Sequence, residues 1–239
     1  MIKKIKSALK YLKYLYHFFL FKKISRNDKR FSLSWEERYP CLDDNTKTTP
    51  YDPHYTYHPA WAARMIKRIN PMFHVDISSI LYYSCMLSAA RPVFFCDYRP
   101  PHLKLSNLSI IQVDLCYLPF KTNSIPSLSC MHTIEHIGLG RYGDTLSPNG
   151  DLRAIDECKR VLSTNGDFLF VVPIGKKAKI QYNAHRIYTY DMVIDMFSSF
   201  KLMNFSFITD HGEYMEKADR EDTFSSSYGC GCFWFHKEE

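Results

Sequence analysis

From His74 onward, short apolar runs alternate with segments whose apolar residues recur every three or four positions. The runs at 74–77, 93–96, 109–113, 127–131, 168–172, 203–208 and 228–235 have strand length and are bounded by turn-forming residues. Between them, 80–90, 152–162 and 189–200 carry helical spacing. Leu152, Ile155 and Leu162 share one face of the second, and Asn165-Gly166 stops it. Thr189 caps the third, with Asp191 in its first turn. Strand and helix in this rhythm predict an α/β fold: a Rossmann-like, mostly parallel seven-stranded sheet, helices on both faces and a last antiparallel strand.

The N-terminus follows a different pattern. Lys3, Lys6, Lys10, Lys13 and His17 form one helical stripe, beside an apolar surface of Ile2, Ile5, Leu9, Leu12, Leu15, Phe19 and Leu20. The expected organisation is a basic amphipathic helix over 1–23, an irregular connector over 24–60 and a Rossmann domain over 61–239. The apolar run at 14–21 is too short to span a bilayer, and no secretory signal pattern is present. Such a helix suits an anionic membrane interface or docking on protein, and both readings stand here.

Charge sharpens this division. The 239 residues carry a net +6, yet residues 1–30 alone hold ten Lys or Arg against one Asp. The rest is therefore slightly acidic, no basic stripe lines it, and nucleic acid is not an expected partner. The eight cysteines are scattered without a CxxC pair, which fits buried, reduced thiols of a cytoplasmic protein, peripheral at the inner membrane face if the helix lies there. Cys230 and Cys232 would face one side of a strand, but no metal site is expected.

In an open parallel sheet, ligands bind beyond the carboxyl ends of the strands. Asp76, Asp97 and Asp114 each stand at such an end in successive units. The second suits ribose hydroxyls and the third an exocyclic amine. Residues 132–144, HTIEHIGLGRYGD, crowd ionisable groups with glycine after the fourth strand, the composition of a reactive loop.

The succession VDISS, FFCDYRP, IIQVDLCYLPF, SLSCMHTIEH and RVLSTNGDFLFVVP resembles a class I S-adenosylmethionine-dependent methyltransferase. More closely, EHIGLGRYGD and NAHRIY are similar to a family of unknown function within that superfamily. A preceding segment of that family is matched by Asp52, His54, Tyr55, Tyr57, His58, Trp61, Ala62, Ala63 and Arg64. The resemblance implies S-adenosylmethionine held by Asp76, Ser78, Ser79, Asp97, Asp114, Leu115 and His132. It places Glu135, His136 and His185 at the chemistry, with Glu135 or His136 as general base. Arg141, Tyr142, Asp144, Asn183 and Arg186 would grip a polar acceptor. The implied function is methyl transfer to a small-molecule or glycan-linked acceptor, with surface polysaccharide biosynthesis as a setting. Two other readings stand beside it: a non-catalytic nucleotide- or glycan-binding module, and a metal hydrolase, since HTIEH matches HxxEH.

One departure bears on the cofactor. The family's first motif reads D/E-x-G-x-G, whereas here Ser78 and Ser79 follow Asp76 and no glycine occurs before 138. A serine is expected to line that turn only with negative φ and a Cβ clear of the ligand.

Overall fold

The computed structural model describes residues 2–238, with side chains from residue 5 on. The chain divides into two compact units, Met1–Tyr51 and Asp52–Glu239. The first is built on helix α1 (Ile2–Ile24), after which the chain is irregular. Trp35 packs edge-on to Phe18 at 5.1 Å and stacks on Phe19 at 5.8 Å, with the Arg38 guanidinium 3.9 Å above its ring. Ile5, Leu9, Leu12, Tyr16 and Phe19 remain exposed along one helical face. No helix among the described residues is long and apolar enough to cross a membrane.

The second unit opens with α2 (Pro53–Ile69). The Asp52 side chain accepts the Tyr55 N–H at 3.0 Å, Pro53 supplies a pre-set first turn, and Asn70 ends the helix in the left-handed region. Residues 53–60, expected as connector, are therefore helical. The Pro53 and Pro59 that read as loop signals lie within its first two turns, where Pro53 costs nothing and Pro59 forfeits one bond.

The remaining elements are β1 (His74–Ile77), α3 (Leu81–Leu87), β2 (Val93–Asp97), β3 (Leu108–Gln112), β4 (Ile125–Met131), α4 (Gly150–Val161), β5 (Leu162–Ile174), β6 (Lys179–Gln181), β7 (His185–Ile187), α5 (Tyr190–Met196), β8 (Lys201–Ile208), β9 (Tyr214–Met215) and β10 (Gly229–His236). Strands β6 and β7 form a separate hairpin. The main sheet runs β3-β2-β1-β4-β5-β10-β8-β9. Strands β1 to β5 pair in parallel, and β10 inserts antiparallel between β5 and β8. The sheet thus has eight strands rather than seven, because the two-residue β9 adds to the edge of β8. The order reverses between β1 and β4, so a crevice opens there at the carboxyl ends.

Alternation along β5 shows how both faces are filled. Phe168, Phe170 and Val172 point to the layer of α4 and α5, where Phe197 stacks on Phe235 at 4.5 Å. Leu169 and Val171 point to the layer of α2 and α3, against Trp61, Ala62, Met65 and Ile66. All these side chains are buried, each of the Phe, Leu, Ile, Val and Met ones worth about 1.5–3 kcal/mol of transfer free energy. The described cysteines form no disulfide, and Cys96, Cys130, Cys158, Cys230 and Cys232 are buried thiols.

The α3 side of β1 breaks this apolar pattern. His74 Nδ1 lies 2.8 Å from Ser127 Oγ and Nε2 2.8 Å from Ser129 Oγ. Ser129 and Ser84 then donate to the two oxygens of Asp76, each at 2.5 Å. Full burial outweighs these hydrogen bonds and raises the Asp76 carboxyl from 3.8 to about 6. An acid whose pKa is raised by folding stabilises most below its unfolded value and loses that contribution as pH climbs through the folded one. Between pH 4 and 7, ionisation of Asp76 is expected to lower unfolding free energy by about 2–2.5 kcal/mol relative to Asp76→Asn. Urea unfolding of both proteins across that range measures it, and a pH-independent difference would refute the assignment.

Candidate functional site

The crevice is built around the turn after β1. Ser78 has φ +51°, the left-handed conformation that glycine ordinarily supplies. Its N–H and hydroxyl both donate to the Cys96 carbonyl, at 2.8 and 3.0 Å, and its own carbonyl accepts from Thr133 Oγ1 at 2.9 Å. Ser79 Oγ accepts the Met131 N–H at 3.1 Å. The two serines therefore fasten the turn to β2 and β4. The expectation of a negative φ at Ser78 is corrected: the glycine backbone path is kept, at about 1–2 kcal/mol, and the hydroxyl's extra bond offsets part of that cost. Asp76 lies behind the turn, fully buried and bound by serines, so it positions the turn rather than lining the crevice.

Beyond the turn, two adjoining hollows of about 210 and 200 Å³ share Tyr98, Leu115, Ile137 and Tyr142. Asp114 borders the first; Ser78, Asp97 and His132 border the second. Asp97 ends β2 and accepts the Arg99 N–H at 2.6 Å, while Asp114 accepts the Cys116 N–H at 2.8 Å. These one-oxygen contacts orient each carboxylate toward its hollow. The Arg99 guanidinium sits 4.4 Å from the Tyr142 ring and steadies the shared wall.

A third cavity of about 460 Å³ begins where the second hollow ends, sharing Ser78, His132, His136 and Tyr142 with it. Glu135, Arg141 and His185 also line it, as do Tyr55 and Tyr228. His136 Nδ1 lies 2.6 Å from the Ala184 carbonyl. A carbonyl only accepts, so this shortest contact favours the proton on Nδ1 over the longer 3.3 Å approach of Arg141 Nη1, and leaves Nε2 without a proton, 3.8 Å from Glu135 Oε1. Arg141 Nη1 donates to the same carbonyl at 3.0 Å and extends its charge along the cavity rim. His185 stacks on Tyr228 at 4.9 Å, and burial lowers its pKa below the ordinary histidine value. His132, also at positive φ (+53°), donates from Nδ1 to Glu135 Oε1 at 2.9 Å and points Nε2 at Cys230 Sγ, 3.3 Å away. The second oxygen of Glu135 is buried without a hydrogen-bond partner among the described residues.

The loop that shapes this cavity is held by residues expected to grip substrate. Asp144 accepts the Gly138 and Gly140 N–H groups at 2.7 and 3.4 Å and that of Tyr142 at 3.2 Å. Gly138, at φ +81°, passes so close to the Ser147 carbonyl that a Cβ would collide with it. Arg186 is buried beneath the loop and donates to the carbonyls of Ile137, Ser147 and Pro148 at 2.6, 3.3 and 3.2 Å. Asp144 and Arg186 are thus committed to the loop, because its unpaired backbone groups need partners. Asn183 is exposed and lines none of the three hollows. Nor do His132 and His136 converge as HxxEH requires: only Ile134–His136 is helical, as a 3-10 turn, and although both rings approach Glu135 Oε1, at 2.9 and 3.8 Å, their other nitrogens meet Cys230 and the Ala184 carbonyl.

Several contributors went unassigned in the sequence. His54, Tyr55 and His58 come from the first turns of α2, and all three rings pack on His132 at 5.1 to 5.7 Å. Their spacing of one, three and four residues on a helix was the available signal. Burial, with His132 alongside, pushes His54 down to about 4. Tyr98, Arg99 and Tyr228 had no local signal, and Cys230 had only its pairing with Cys232 on one strand face, since only folding brings β2, β4 and β10 together.

Comparison with known proteins supplies a family and a fold. Residues 104–226, just over half the chain, match the family described as Caenorhabditis protein of unknown function, DUF268, and the chain belongs to it. No curated protein matches. Among solved structures, 1,6-didemethyltoxoflavin-N1-methyltransferase of Burkholderia thailandensis, determined with S-adenosylhomocysteine, aligns with TM-score 0.55 at 10% identity, over 75% of this chain and 77% of that one. The YcgJ protein of Bacillus subtilis aligns with TM-score 0.52 at 16% identity, over 76% and 100%. The [4+2]-cyclase SpnF aligns with TM-score 0.51 at 11% identity, over 74% and 81%. The chain therefore has the fold of the S-adenosylmethionine-dependent methyltransferases.

Replacing Ser78 by glycine removes the left-handed penalty and the Cβ facing the hollow. Ser78→Gly is expected to keep or raise stability, by up to about 1 kcal/mol, since it also loses the hydroxyl bond to Cys96. Thermal unfolding checks this; a loss of more than about 2 kcal/mol would mean that the serine hydroxyl, not the backbone path, holds the turn.

Proposed function

We propose that this chain transfers a methyl group from S-adenosylmethionine to a small polar or glycan-linked acceptor. The carrying observation is the continuity of the crevice: a turn in the glycine conformation, strand-end Asp97 and Asp114, then an open passage to the cavity bordered by His136. In that reading Asp97 accepts from ribose hydroxyls, Leu115 and Tyr98 face the base, and Asp114 accepts from its amine. S-adenosylmethionine would supply an electrophilic methyl on a sulfonium. The protein's task is then alignment and proton removal. His136, with Nε2 bare, is the group suited to take a proton from an acceptor hydroxyl or amine. Arg141 suits a carboxylate or phosphate on the acceptor, and Glu135 orients His132.

Calorimetric titration with S-adenosylmethionine and S-adenosylhomocysteine tests this reading. Binding is expected, and Asp97→Ala should weaken it about tenfold or more, the worth of a charge-assisted hydrogen bond. Absence of heat at millimolar ligand would overturn the reading and leave a non-catalytic binding module.

The N-terminal helix supports a location for the acceptor. Exposed Ile5, Leu9, Leu12, Tyr16 and Phe19 lie beside the Lys6, Lys10 and Lys13 stripe, a surface fitted to anionic lipid at the inner membrane face. A glycan-linked acceptor of surface polysaccharide biosynthesis would be met there. Removing residues 1–24 is expected to release the protein from phosphatidylserine vesicles in a flotation assay; undiminished binding would refute the role.

A further inference from the structure

The cluster behind His132 has a geometry that methyl transfer does not require. His54 enters from the first turn of α2, His132 from the end of β4 and Cys230 from β10. One nitrogen of each histidine and the Cys230 sulfur lie within 4.8 Å of one another. His132 Nε2 and Cys230 Sγ are 3.3 Å apart. With metal–nitrogen and metal–sulfur bonds of about 2.0–2.1 and 2.3 Å, tetrahedral ligands stand about 3.3–3.6 Å from each other. That pair is already close to ligand spacing, and the His54 nitrogen, within 4.8 Å of both, needs at most about 1–1.5 Å of movement by a half-buried ring.

Two further observations point the same way. Glu135 accepts a hydrogen bond from the His132 Nδ1–H at 2.9 Å, which keeps the proton on Nδ1 and leaves the Nε2 lone pair free to bind an ion. A carboxylate behind a histidine is the usual outer shell of a metal-bound imidazole. The cluster also contains buried polar atoms without partners among the described residues, Glu135 Oε2 and His58 Nε2, although His58 Nδ1 is satisfied by the His54 carbonyl at 2.6 Å. His132 moreover holds a left-handed backbone, uncommon for a residue with a side chain though less so for histidine than for most.

We infer that His54, His132 and Cys230 form a binding site for a zinc-class divalent ion, with Glu135 positioning His132 and the remaining coordination position available to a small ligand. Two imidazoles and one thiolate suit zinc, and three protein ligands with an open position are the catalytic rather than the structural form. His132 borders the 460 Å³ cavity, so a ligand on the ion would share that space. If the methyl-transfer reading holds, on which this last point rests, the ion would favour acceptors offering an anionic oxygen or sulfur. The metal site itself stands on the ligand geometry alone, independent of that reading and of the HxxEH pattern.

The test uses the full chain, stripped by chelator and titrated with zinc against a chromophoric chelator, then with cobalt(II) as an optical probe. One ion per chain is expected, with tetrahedral cobalt bands and a thiolate-to-cobalt charge-transfer band. Cys230→Ser should abolish that charge-transfer band. Glu135→Gln should weaken zinc about 10- to 100-fold, and His54→Ala about 100-fold or more. Cys232→Ala, whose sulfur lies 4.0 Å from Cys230 but outside the ligand set, should retain binding. No charge-transfer band in the wild type, or equal zinc affinity in wild type and His54→Ala, would overturn the site. Should Cys230→Ser fail to fold, His54→Ala at the half-buried edge remains decisive. Zinc binding without S-adenosylmethionine binding would remove the methyl-transfer reading and leave the metal site standing.

Discussion

The structure depends on how the chain leaves β1. At that point a parallel sheet reverses its order, and the backbone must turn sharply between two neighbours without filling the crevice it creates. Here Ser78 makes the turn in the left-handed conformation, donating twice to the Cys96 carbonyl of β2. Thr133 donates to the Ser78 carbonyl from beyond β4, and Ser79 receives Met131 from β4 itself. Serine thus substitutes hydrogen bonds for the conformational freedom of glycine. The same stitches hold the ends of β2 and β4 in register with the turn, and Asp97, His132 and His136 project from or just beyond those ends.

A second consequence is that the acidic side chain next to the turn is withdrawn from the crevice. Asp76 is held by Ser84 and Ser129, and Ser129 is held in turn by His74. With Asp76 ionised, Ser129 spends its proton on the carboxylate, so His74 must donate from Nε2 and accept from Ser127 at Nδ1. One protonation event therefore reaches β1, β4 and α3 together. The sites on the crevice side are arranged by the same logic of obligatory acceptors: the Ala184 carbonyl sets the tautomer of His136, and Glu135 sets that of His132.

The strands and the strand-end acids were legible in the sequence because each depends on a local period or a position within one unit. Runs of apolar residues located β1 to β4 to within two residues, and Asp97 and Asp114 followed from where two of them end; β5 begins at Leu162, six residues before its apolar run, so Asn165-Gly166 lies inside the strand and not at the end of a helix. The start of α2 was obscured by Pro53 and Pro59, whose meaning changes once Asp52 caps the helix. The roles of Asp144 and Arg186 were misread for a different reason. Both have the charge to grip a ligand, but whether the charge is free depends on which backbone groups the 138–150 loop leaves unpaired, a property of the folded loop. Ser78 was misjudged because composition reports the residue and not its φ. The pairing of His132 with Cys230 spans 98 positions and had no local trace.

The fold alone leaves the reaction open, since a methyltransferase crystallised with S-adenosylhomocysteine and a [4+2]-cyclase both share it with this chain. What narrows the choice is the side-chain chemistry at the far end of the crevice. A cavity meant only to bind would be served by satisfied polar groups, since an unpaired buried carboxylate oxygen costs about 1–3 kcal/mol or more. The fold retains that cost at Glu135 and adds backbone strain at His132, both bordering one cavity. Unmet polarity is relieved when a charged or hydrogen-bonding partner arrives, and the Glu135 oxygen therefore favours a ligand that brings a proton donor or a cation into that corner.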